Sequence, residues 1–365
     1  MLPYKIAFAS LKGMCSELAQ RILDIIPSEK EFFDLSEKEL ENTLGTKSKI
    51  MNSDYRKKAL DKALKEIDFI TKNDIGITYF TDNTYPTRFL NAPDAPILFF
   101  TKGDCNLNAP KVISIVGTRH ATTYGQHFTE TIINEIAESF PKTIIVSGLA
   151  YGIDICAHKA ALNAGLPTVA VLAHGLNTIY PAQHRNSAIN IIRNGGALLT
   201  DYTSQDIIHR ANFIARNRIV AALSDCTIVV ESASKGGALI TAGIAESYNR
   251  DVFALPGRSS DQYSEGCNKL IRLNAASLIT CADDLINAMR WEKPKSNQPK
   301  EKQLFPDLST EEQSIVDYIT THGETHINAL SGATNIPISQ LLSLLVELEF
   351  KGILLSAPGG RYTIA

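Results

Sequence analysis

The sequence predicts an α/β protein, with a doubly wound and mostly parallel sheet between a helical N-terminal region and a C-terminal winged helix. Val112–Val116 is a short apolar, β-branched run, typical of a strand buried on both faces. Gly117 ends this run, and beyond a polar loop the apolar residues recur at helical spacing as far as Ile136. A strand, a glycine turn and a helix form the first unit of a parallel sheet, and such a turn directs backbone N–H groups toward an anion.

The same alternation continues to about residue 285. Strands separated by helices imply right-handed crossovers and a doubly wound sheet, whose ligand crevice lies beyond the C-terminal strand ends. The further predicted strands are Thr143–Ser147, Thr168–Leu172, Ala197–Asp201, Thr227–Glu231, Asp251–Leu255 and a short one at Ser277–Thr280. The helices between them are predicted at Ile153–Asn163, His184–Asn194, Phe213–Ser224 and Ala238–Asn249.

Residues 1–75 have the periodicity of short helices, and they are predicted to form a helical domain. Ser36 and Glu39 fit a capping box. From residue 76 the pattern changes, and two short strands predict an extension at the edge of the sheet, 76–110, within a domain that runs to residue 290. The segments concerned are Cys15–Ile26, Ser28–Leu35, Ser36–Leu44 and Asp54–Thr71 for the helices, and Ile77–Phe80 and Ile97–Phe100 for the strands.

Residues 291–303 contain lysine and proline without periodicity and are predicted to be a linker. Residues 304–365 then show three helical segments and two short strands, the winged-helix pattern. Seven acidic residues against Lys351 and Arg361 give this part a net charge of −5. This charge predicts contact with a protein rather than with DNA. The helices are Thr310–Thr321, a short one around Ile327–Ser331, and Ser339–Lys351, and the strands are Ile353–Ser356 and Tyr362–Ile364.

Composition sets further limits. A chain of 365 residues is expected to hold two or three domains, and its net charge of −3 means that any nucleic-acid site must be a local patch. The six cysteines are scattered, and their spacing predicts neither a metal site nor disulfides. No cofactor is expected. Without a signal peptide pattern or an apolar run of the ~20 residues that span a membrane, the protein is expected to be soluble and cytoplasmic, with no membrane partner.

Two enzyme sites agree poorly with the sequence. A dinucleotide site fails because the first turn reads GTRHATTYG instead of GxGxxG, and because Ser147-Gly148 ends the second strand where a ribose-binding acid is required. A hydrolase triad could use Ser147, Asp154 and His158, but SGLAYG is not the GxSxG elbow.

A third enzyme class remains open. Glu231–Glu246, ESASKGGALITAGIAE, is similar to the PGGxGTxxE motif of nucleotide-cleaving Rossmann-like enzymes, the "lysine decarboxylase" and cytokinin-activating families. This chain lacks the proline and has its threonine further from the glycines. A nucleotide-processing, phosphoribohydrolase-like enzyme is therefore the alternative function, and an interaction adaptor with a vestigial phosphate pocket is another.

Seven spaced motifs in residues 112–280 resemble a known family, DNA-processing protein A (DprA, also called Smf). The departures are small, with Gly236 where the family commonly has serine and Ala173 where it commonly has glycine. The motifs are VGTR (116–119), YG (124–125), SGLAYGID (147–154), AVLAHGLNTIYP (170–181), NFIARNRIVAALS (212–224), GGALITA (236–242) and VFALPG (252–257).

The resemblance implies a Rossmann-like domain that binds single-stranded DNA and forms a homodimer, a SAM-like N-terminal domain and often a C-terminal winged helix. It also implies protection of incoming single strands in natural transformation, help in loading the RecA recombinase, and no enzyme activity.

The residues themselves suggest how single strands bind. Cationic side chains that follow phosphates, with a ring that stacks on a base, give sequence-tolerant binding. The alternatives are that Arg216 and Arg218 form buried ion pairs with Asp201 or Glu231, and that Phe213 packs in the core. No catalytic residue is predicted. The predicted DNA- and phosphate-binding residues are Gly117, Thr118, Arg119, Gly148, Arg210, Phe213, Arg216, Asn217, Arg218, Lys235, Gly236 and Gly237.

Overall fold

In the computed structural model of the chain, residues 1–292, 308–357 and 359–364 are described. The chain divides into two compact units, on either side of residues 293–307. Most of the linker predicted at 291–303 therefore lies outside the described residues. The first unit contains both the N-terminal helices and the large sheet, and the division between them at residue 75 stays a prediction.

Five helices form the N-terminal part, and the four predicted ones are confirmed. The first helix was not predicted, because its residues are almost all apolar and show no amphipathic stripe. The capping box is confirmed, since the backbone N–H of Ser36 donates to Glu39 Oε2 over 2.8 Å and the Ser36 hydroxyl oxygen accepts from the Glu39 backbone. These helices are α1 (Leu2–Ala9), α2 (Ser16–Ile25), α3 (Glu29–Asp34), α4 (Glu37–Leu44) and α5 (Ser53–Asn73).

The predicted sheet is confirmed as a nine-stranded, mostly parallel sheet in the order β1-β2-β6-β5-β4-β3-β7-β8-β9. β1 and β2 are antiparallel to their neighbours and extend one edge, as expected. The remaining strands run parallel. The strands are β1 (Gly76–Tyr79), β2 (Leu98–Gly103), β3 (Val112–Val116), β4 (Ile144–Ser147), β5 (Thr168–Val171), β6 (Ala197–Thr200), β7 (Cys226–Val229), β8 (Asp251–Ala254) and β9 (Ser277–Leu278).

Helices cover both faces of this sheet. Along β3, Ile113 and Ile115 pack into one apolar core and Val112 and Val116 into the core on the opposite face, which explains why four of its five residues are apolar. The fifth, Ser114, is buried and donates to the Thr227 hydroxyl oxygen over 2.7 Å. The single helix predicted at Phe213–Ser224 is wrong in detail. It is two helices that meet at Arg216, whose carbonyl accepts from Ile219 N–H in a tighter, three-residue turn. The helices are α6 (Thr123–Ser139), α7 (Ile153–Asn163), α8 (Arg185–Arg193), α9 (Arg210–Ala215), α10 (Asn217–Leu223), α11 (Gly237–Ser247), α12 (Glu265–Arg272) and α13 (Ala282–Ala288).

The strand order reverses between β3 and β7. From β3 the chain proceeds to β4, β5 and β6 on one side, and then returns to β7 on the other side. At such a switch point the loops after the two neighbouring strands diverge, and a crevice opens at their C-terminal ends.

The second unit contains the predicted winged helix. Its three-stranded antiparallel sheet has the order β10-β12-β11, and the short first strand was not predicted. In the part of the chain that the structure describes, no single helix is long and apolar enough to cross a membrane. Of the described helices, only α15 (Ile327–Thr334) and α16 (Ile338–Phe350) taken together reach that length and apolarity, and a bend of 109° separates them. The elements are α14 (Thr310–His322), β10 (Thr325–His326), α15 (Ile327–Thr334), α16 (Ile338–Phe350), β11 (Leu354–Ala357) and β12 (Arg361–Ile364).

His158 on α7 is a fully buried ring that contacts Thr168, the first residue of β5. Its Nδ1 lies 2.7 Å from the Thr168 hydroxyl oxygen, whose own hydrogen is donated to the Ile145 carbonyl over 2.7 Å. Nδ1 must therefore carry the proton, and Nε2 has no partner among the described residues. Burial, together with the charge of Arg216, lowers the pKa of His158 from 6.5 to about 3.

This depressed pKa predicts a loss of stability in acid. The unfolded chain takes up the His158 proton first, so the contribution is complete above pH 6.5 and falls by ~1.4 kcal/mol per pH unit toward pH 3. His158→Asn keeps an N–H for Thr168 but cannot titrate. In urea unfolding, the native chain should lose ~2 kcal/mol more than the variant between pH 7 and pH 5. Equal losses would contradict this assignment, because the other buried acids are present in both proteins.

Candidate functional site

A groove of about 790 Å³ lies at the C-terminal ends of β3 and β7, where the strand order reverses. The loop after β3, the loop between β7 and α11, and helix α9 form its walls. Gly148 and Arg218 are not among its lining residues. The predicted site residues that line it are Gly117, Thr118, Arg119, Arg210, Phe213, Arg216, Asn217, Lys235, Gly236 and Gly237.

Three cations at the groove are available to a ligand. Arg119, Arg210 and Lys235 are exposed, and the described part of the chain contains no ion pair to any of them. The Arg119 guanidinium lies over the Phe213 ring, 5.9 Å from its centroid. The groove can therefore offer positive charge beside an aromatic face.

Aromatic rings line the same groove. Phe213 is half-buried and meets Tyr180 edge to face, with ring centroids 5.4 Å apart, so it is not a core residue. Tyr180 is 50% exposed. His120 and Tyr263 stack on each other at 6.1 Å and also line the groove. Sequence reasoning overlooked Tyr180 and His120, because the long loop after β5 and the turn after β3 carry no aromatic spacing that marks a ligand surface.

Arg216 belongs to the floor of the groove, and its guanidinium is occupied. It is 5% exposed, and its Nη1 donates to the carbonyls of Gly148, over 2.6 Å, and Val171. Nε donates to the Asn217 side chain over 3.3 Å. A Cβ on Gly148 would lie 2.3 Å from Nη1, so only glycine leaves room for this contact. Gly148 and Asn217 thus hold Arg216 in place.

Asp154 at the start of α7 is a buried carboxylate that also lines the groove and acts on this guanidinium through its charge. Burial raises the pKa of Asp154, an effect that the positive charge of Arg216 opposes. Burial also lowers the pKa of Arg216, which the negative charge of Asp154 opposes. Arg216 therefore acts as a structural cation with an internal counter-charge.

The expectation that Arg218 lines the groove is wrong. Its guanidinium pairs with the Asp201 carboxylate and donates to the Asp94 carbonyl over 2.6 Å. Arg218 follows Arg216 by two residues on a helix, so the two side chains leave α10 in different directions. For Arg218 the alternative, a structural ion pair with Asp201, is what the structure has.

The turn after β3 is not the phosphate cradle that the sequence predicts. Thr118 N–H donates to the Glu231 carbonyl over 2.7 Å, and Thr122 N–H donates to Glu231 Oε2 over 2.9 Å. His120 N–H is bonded to the Thr118 side chain. The buried Glu231 carboxylate therefore takes the place of an external anion at the start of α6.

The turn before α11 keeps its capacity for anions. Gly236 is the N-cap of α11 and Gly237 its exposed first residue. Gly236 N–H donates to the Ala233 carbonyl over 3.0 Å, and Leu239 N–H donates to the Gly236 carbonyl over 3.2 Å. The N–H groups open to an anion are therefore those of Gly237 and Ala238, two residues that line the groove beside Lys235. An anion can bind here rather than at the first glycine turn.

The hydrolase triad and the nucleotide-processing site, two of the three enzyme sites considered, are not assembled among the described residues. Ser147 is fully buried and donates to the Ile115 carbonyl over 2.6 Å, so it is not an accessible nucleophile. Thr241 lines the groove, but Glu246 of the same motif lies exposed on α11 and outside the groove lining. Among the described residues no group of His, Cys, Asp and Glu side chains could hold a metal ion.

The loop that carries Ile208 to Arg210 into the groove is tied to the N-terminal helices. The buried Glu66 carboxylate of α5 accepts from the Ser204 backbone N–H over 2.9 Å and from its hydroxyl over 2.6 Å. The Gln205 side chain donates to the Lys62 carbonyl over 2.9 Å. Helix α5 thereby fixes one wall of the groove.

Comparison with known families finds two matches in this chain. The model of DNA recombination-mediator protein A matches residues 76–290, and that of the DprA winged helix domain matches residues 298–360. Protein Smf of Escherichia coli is 32% identical over 282 residues, which cover 76% of this chain and 74% of that protein. A putative DNA processing protein DprA of Mycobacterium tuberculosis is 34% identical over 273 residues, covering 74% and 69%.

Two solved structures have the same fold. DNA processing protein A from Streptococcus pneumoniae superposes with a TM-score of 0.62 at 30% identity, covering 79% of this chain and 98% of that one. DNA processing protein A from Helicobacter pylori gives a TM-score of 0.53 at 31% identity, covering 60% and 97%. The work on the Helicobacter protein concerns its single-stranded DNA binding mode.

Glu66→Ala tests the attachment of the groove loop to α5. Loss of both acceptors for Ser204 should cost ~1–3 kcal/mol of stability and speed hydrogen exchange at residues 203–209, measured by mass spectrometry. Glu17→Ala, which removes one partner of an exposed ion pair with Arg21 on α2, is the matched control and should leave this loop unchanged. Unaltered exchange in the Glu66→Ala loop would show that α5 does not hold it.

Proposed function

The chain belongs to the family of DNA recombination-mediator protein A, and from this premise we propose that it binds single-stranded DNA in the groove between β3 and β7. The resemblance that the sequence motifs indicate is thereby confirmed. The observation that carries the proposal is that three cations, which form no ion pair with any described residue, lie beside aromatic rings at the switch point of the sheet.

The groove suits a single strand better than a duplex. An unpaired strand exposes base faces that can stack on a ring while its phosphates contact cations, whereas a duplex hides those faces. Arg119, Arg210 and Lys235 are assigned to phosphates, together with the N-terminus of α11. Phe213 and Tyr180 are assigned to bases.

The remaining predicted residues support this surface. Arg216, with Gly148 and Asn217, holds the strand ends together at the floor of the groove. Gly117 and Thr118 shape the turn that presents Arg119. Gly236 and Gly237 give the strand's backbone access to the start of α11. Arg218 is left out of the binding surface.

The cellular role that we propose is the one that membership of this family implies. We propose protection of incoming single strands in natural transformation and recombination, assistance in loading the RecA recombinase, and a homodimer formed through the Rossmann-like domain. The family is one of DNA-binding proteins, and we assign no catalytic step. The proposed division is a SAM-like domain (1–75), a Rossmann-like domain (76–290), a linker (291–303) and a winged helix (304–365), in a cytoplasmic protein.

Charge removal tests the phosphate contacts. Arg119→Gln and Arg210→Gln should each weaken binding to a labelled single strand and lower the slope of log K against log salt by ~0.7. Fluorescence anisotropy over a salt series measures both. Arg193→Gln, an exposed arginine at the end of α8 and outside the groove, is the matched control. Unchanged affinity and slope in both groove variants would place the binding surface elsewhere.

Phe213→Ala tests the stacking role. Base–aromatic stacking is worth ~1–3 kcal/mol per base, so affinity for single strands should fall roughly five- to hundred-fold. Weaker, charge-driven binding to duplex should change little. Tyr151→Ala, an exposed ring outside the groove lining, is the control. A parallel loss for single strand and duplex, with a lower melting temperature, would instead make Phe213 a packing residue.

A further inference from the structure

A second cavity, of about 800 Å³, adjoins the groove. Tyr263 lines both spaces, so a strand lying in the groove reaches the second cavity without leaving the protein surface. The loop after β8, from Pro256 to Arg258, forms one wall. Tyr124 on α6 forms another. Two acidic residues line the cavity, the buried Glu231, which bonds to the turn after β3, and the exposed Asp261.

Glu231 is a buried carboxylate that no described cation pairs with. It is 3% exposed, and the protein gives it two hydrogen bonds, from the Thr122 backbone N–H to Oε2 and from the Thr122 hydroxyl to Oε1 over 2.5 Å. A carboxylate accepts about four hydrogen bonds, and a buried one is ordinarily paired or fully bonded. Glu231 therefore keeps acceptor capacity at the wall of an otherwise open cavity.

The other walls are suited to a flat aromatic ligand. Tyr124 is 51% exposed, and its hydroxyl fixes the ring by donating to the Pro256 carbonyl over 2.9 Å. Tyr263 is half-buried and braced by His120. Arg258 is exposed, and the described part of the chain contains no ion pair to it. Aromatic rings can stack on a nucleic-acid base, a carboxylate can accept hydrogen bonds from the base edge, and a cation can contact its phosphate.

We propose that this cavity binds one unpaired guanine of the strand held in the groove. Guanine presents two adjacent donors, N1–H and the N2 amino group, which match the two oxygens of a carboxylate. Adenine and cytosine place an acceptor nitrogen beside their amino group, and thymine has one N–H between two carbonyls, so each fits Glu231 less well. The base lies between Tyr124 and Tyr263, and Arg258 meets a neighbouring phosphate.

This inference rests on the proposed single-strand binding, and its test separates the two. Anisotropy is measured with labelled thymidine oligomers that are unmodified or carry one central guanine, hypoxanthine, adenine or cytosine. A bidentate base contact is worth a factor of roughly five to a hundred, so the guanine oligomer should bind that much tighter than the thymidine oligomer. Hypoxanthine, which lacks the amino group, should fall between them.

Variants locate the preference in this cavity. Glu231→Gln keeps the shape but replaces one acceptor by a donor, and the ratio of guanine to thymidine affinity should fall toward one. Because Glu231 also caps α6, Tyr124→Ala and Arg258→Gln provide tests that leave that cap intact, and both should reduce the ratio. Tyr151→Ala and Arg193→Gln are the matched controls and should keep it. Melting temperatures confirm that each variant is folded.

Free deoxyguanosine monophosphate is added as a competitor to distinguish a base of the strand from a free nucleotide. It should displace the guanine oligomer only weakly. If the free nucleotide displaced the guanine oligomer at a concentration equal to that of the oligomer, the cavity would be a site for a free nucleotide, and the proposal would be overturned.

The remaining outcomes are equally distinct. Equal affinity for guanine and thymidine oligomers would overturn the guanine site and leave the proposed function standing. A preference that persists in folded Tyr124→Ala and Arg258→Gln would overturn the location. Absence of binding to every oligomer would refute single-strand binding and, with it, the guanine site.

Discussion

The groove depends on one buried guanidinium. Arg216 joins the carbonyls at the ends of two parallel strands, Gly148 after β4 and Val171 at the end of β5. The guanidinium can be buried here because two backbone carbonyls and the Asn217 side chain accept its hydrogen bonds and because Gly148 has no side chain in the way, while the charge of Asp154 favours its ionised form. Since Arg216 also lies at the junction of α9 and α10, the same anchor sets the direction of α9, which carries Arg210 and Phe213 into the groove.

A second internal charge decides where an external anion can bind. The start of α6, which follows the glycine turn of β3, is neutralised by the protein's own Glu231. Gly125 makes this possible, since a Cβ there would lie 2.4 Å from Glu231 Oε2. The helix N-terminus that remains open to an anion is therefore that of α11, which follows the neighbouring strand β7. The turn after β3 presents Arg119 instead. The groove therefore lies where a nucleotide crevice lies in such sheets, but its positive charges are spread along its walls instead of being gathered at one glycine turn.

Sequence could predict the sheet because burial leaves a strong pattern. Val112–Val116 was predicted with its correct bounds, since a strand packed on both faces is predominantly apolar, here with Ser114 as the one polar residue. Glycine turns likewise located the crevice. For Arg218 the sequence offered both a DNA contact and an ion pair with Asp201, and it could not decide between them, because the choice depends on how the chain folds. The contact of Arg216 with the Val171 carbonyl was not predicted, since a backbone partner leaves no mark in the sequence. Tyr180 reaches the groove through a loop without regular spacing, so no local pattern marks it.

The distribution of charge explains how an acidic chain can bind a polyanion. With a net charge of −3, the whole molecule does not attract DNA from a distance. The winged-helix unit does not compensate, because the exposed charged residues of α16 are the acids Glu347 and Glu349. Its exposed apolar residues offer nothing to a phosphate either, and they are Ile338, Leu342, Val346 and Phe350. Binding energy must then come from short-range contacts in the groove. Stacking on rings is the contribution that salt does not screen, so a surface with few cations favours strands whose bases are exposed.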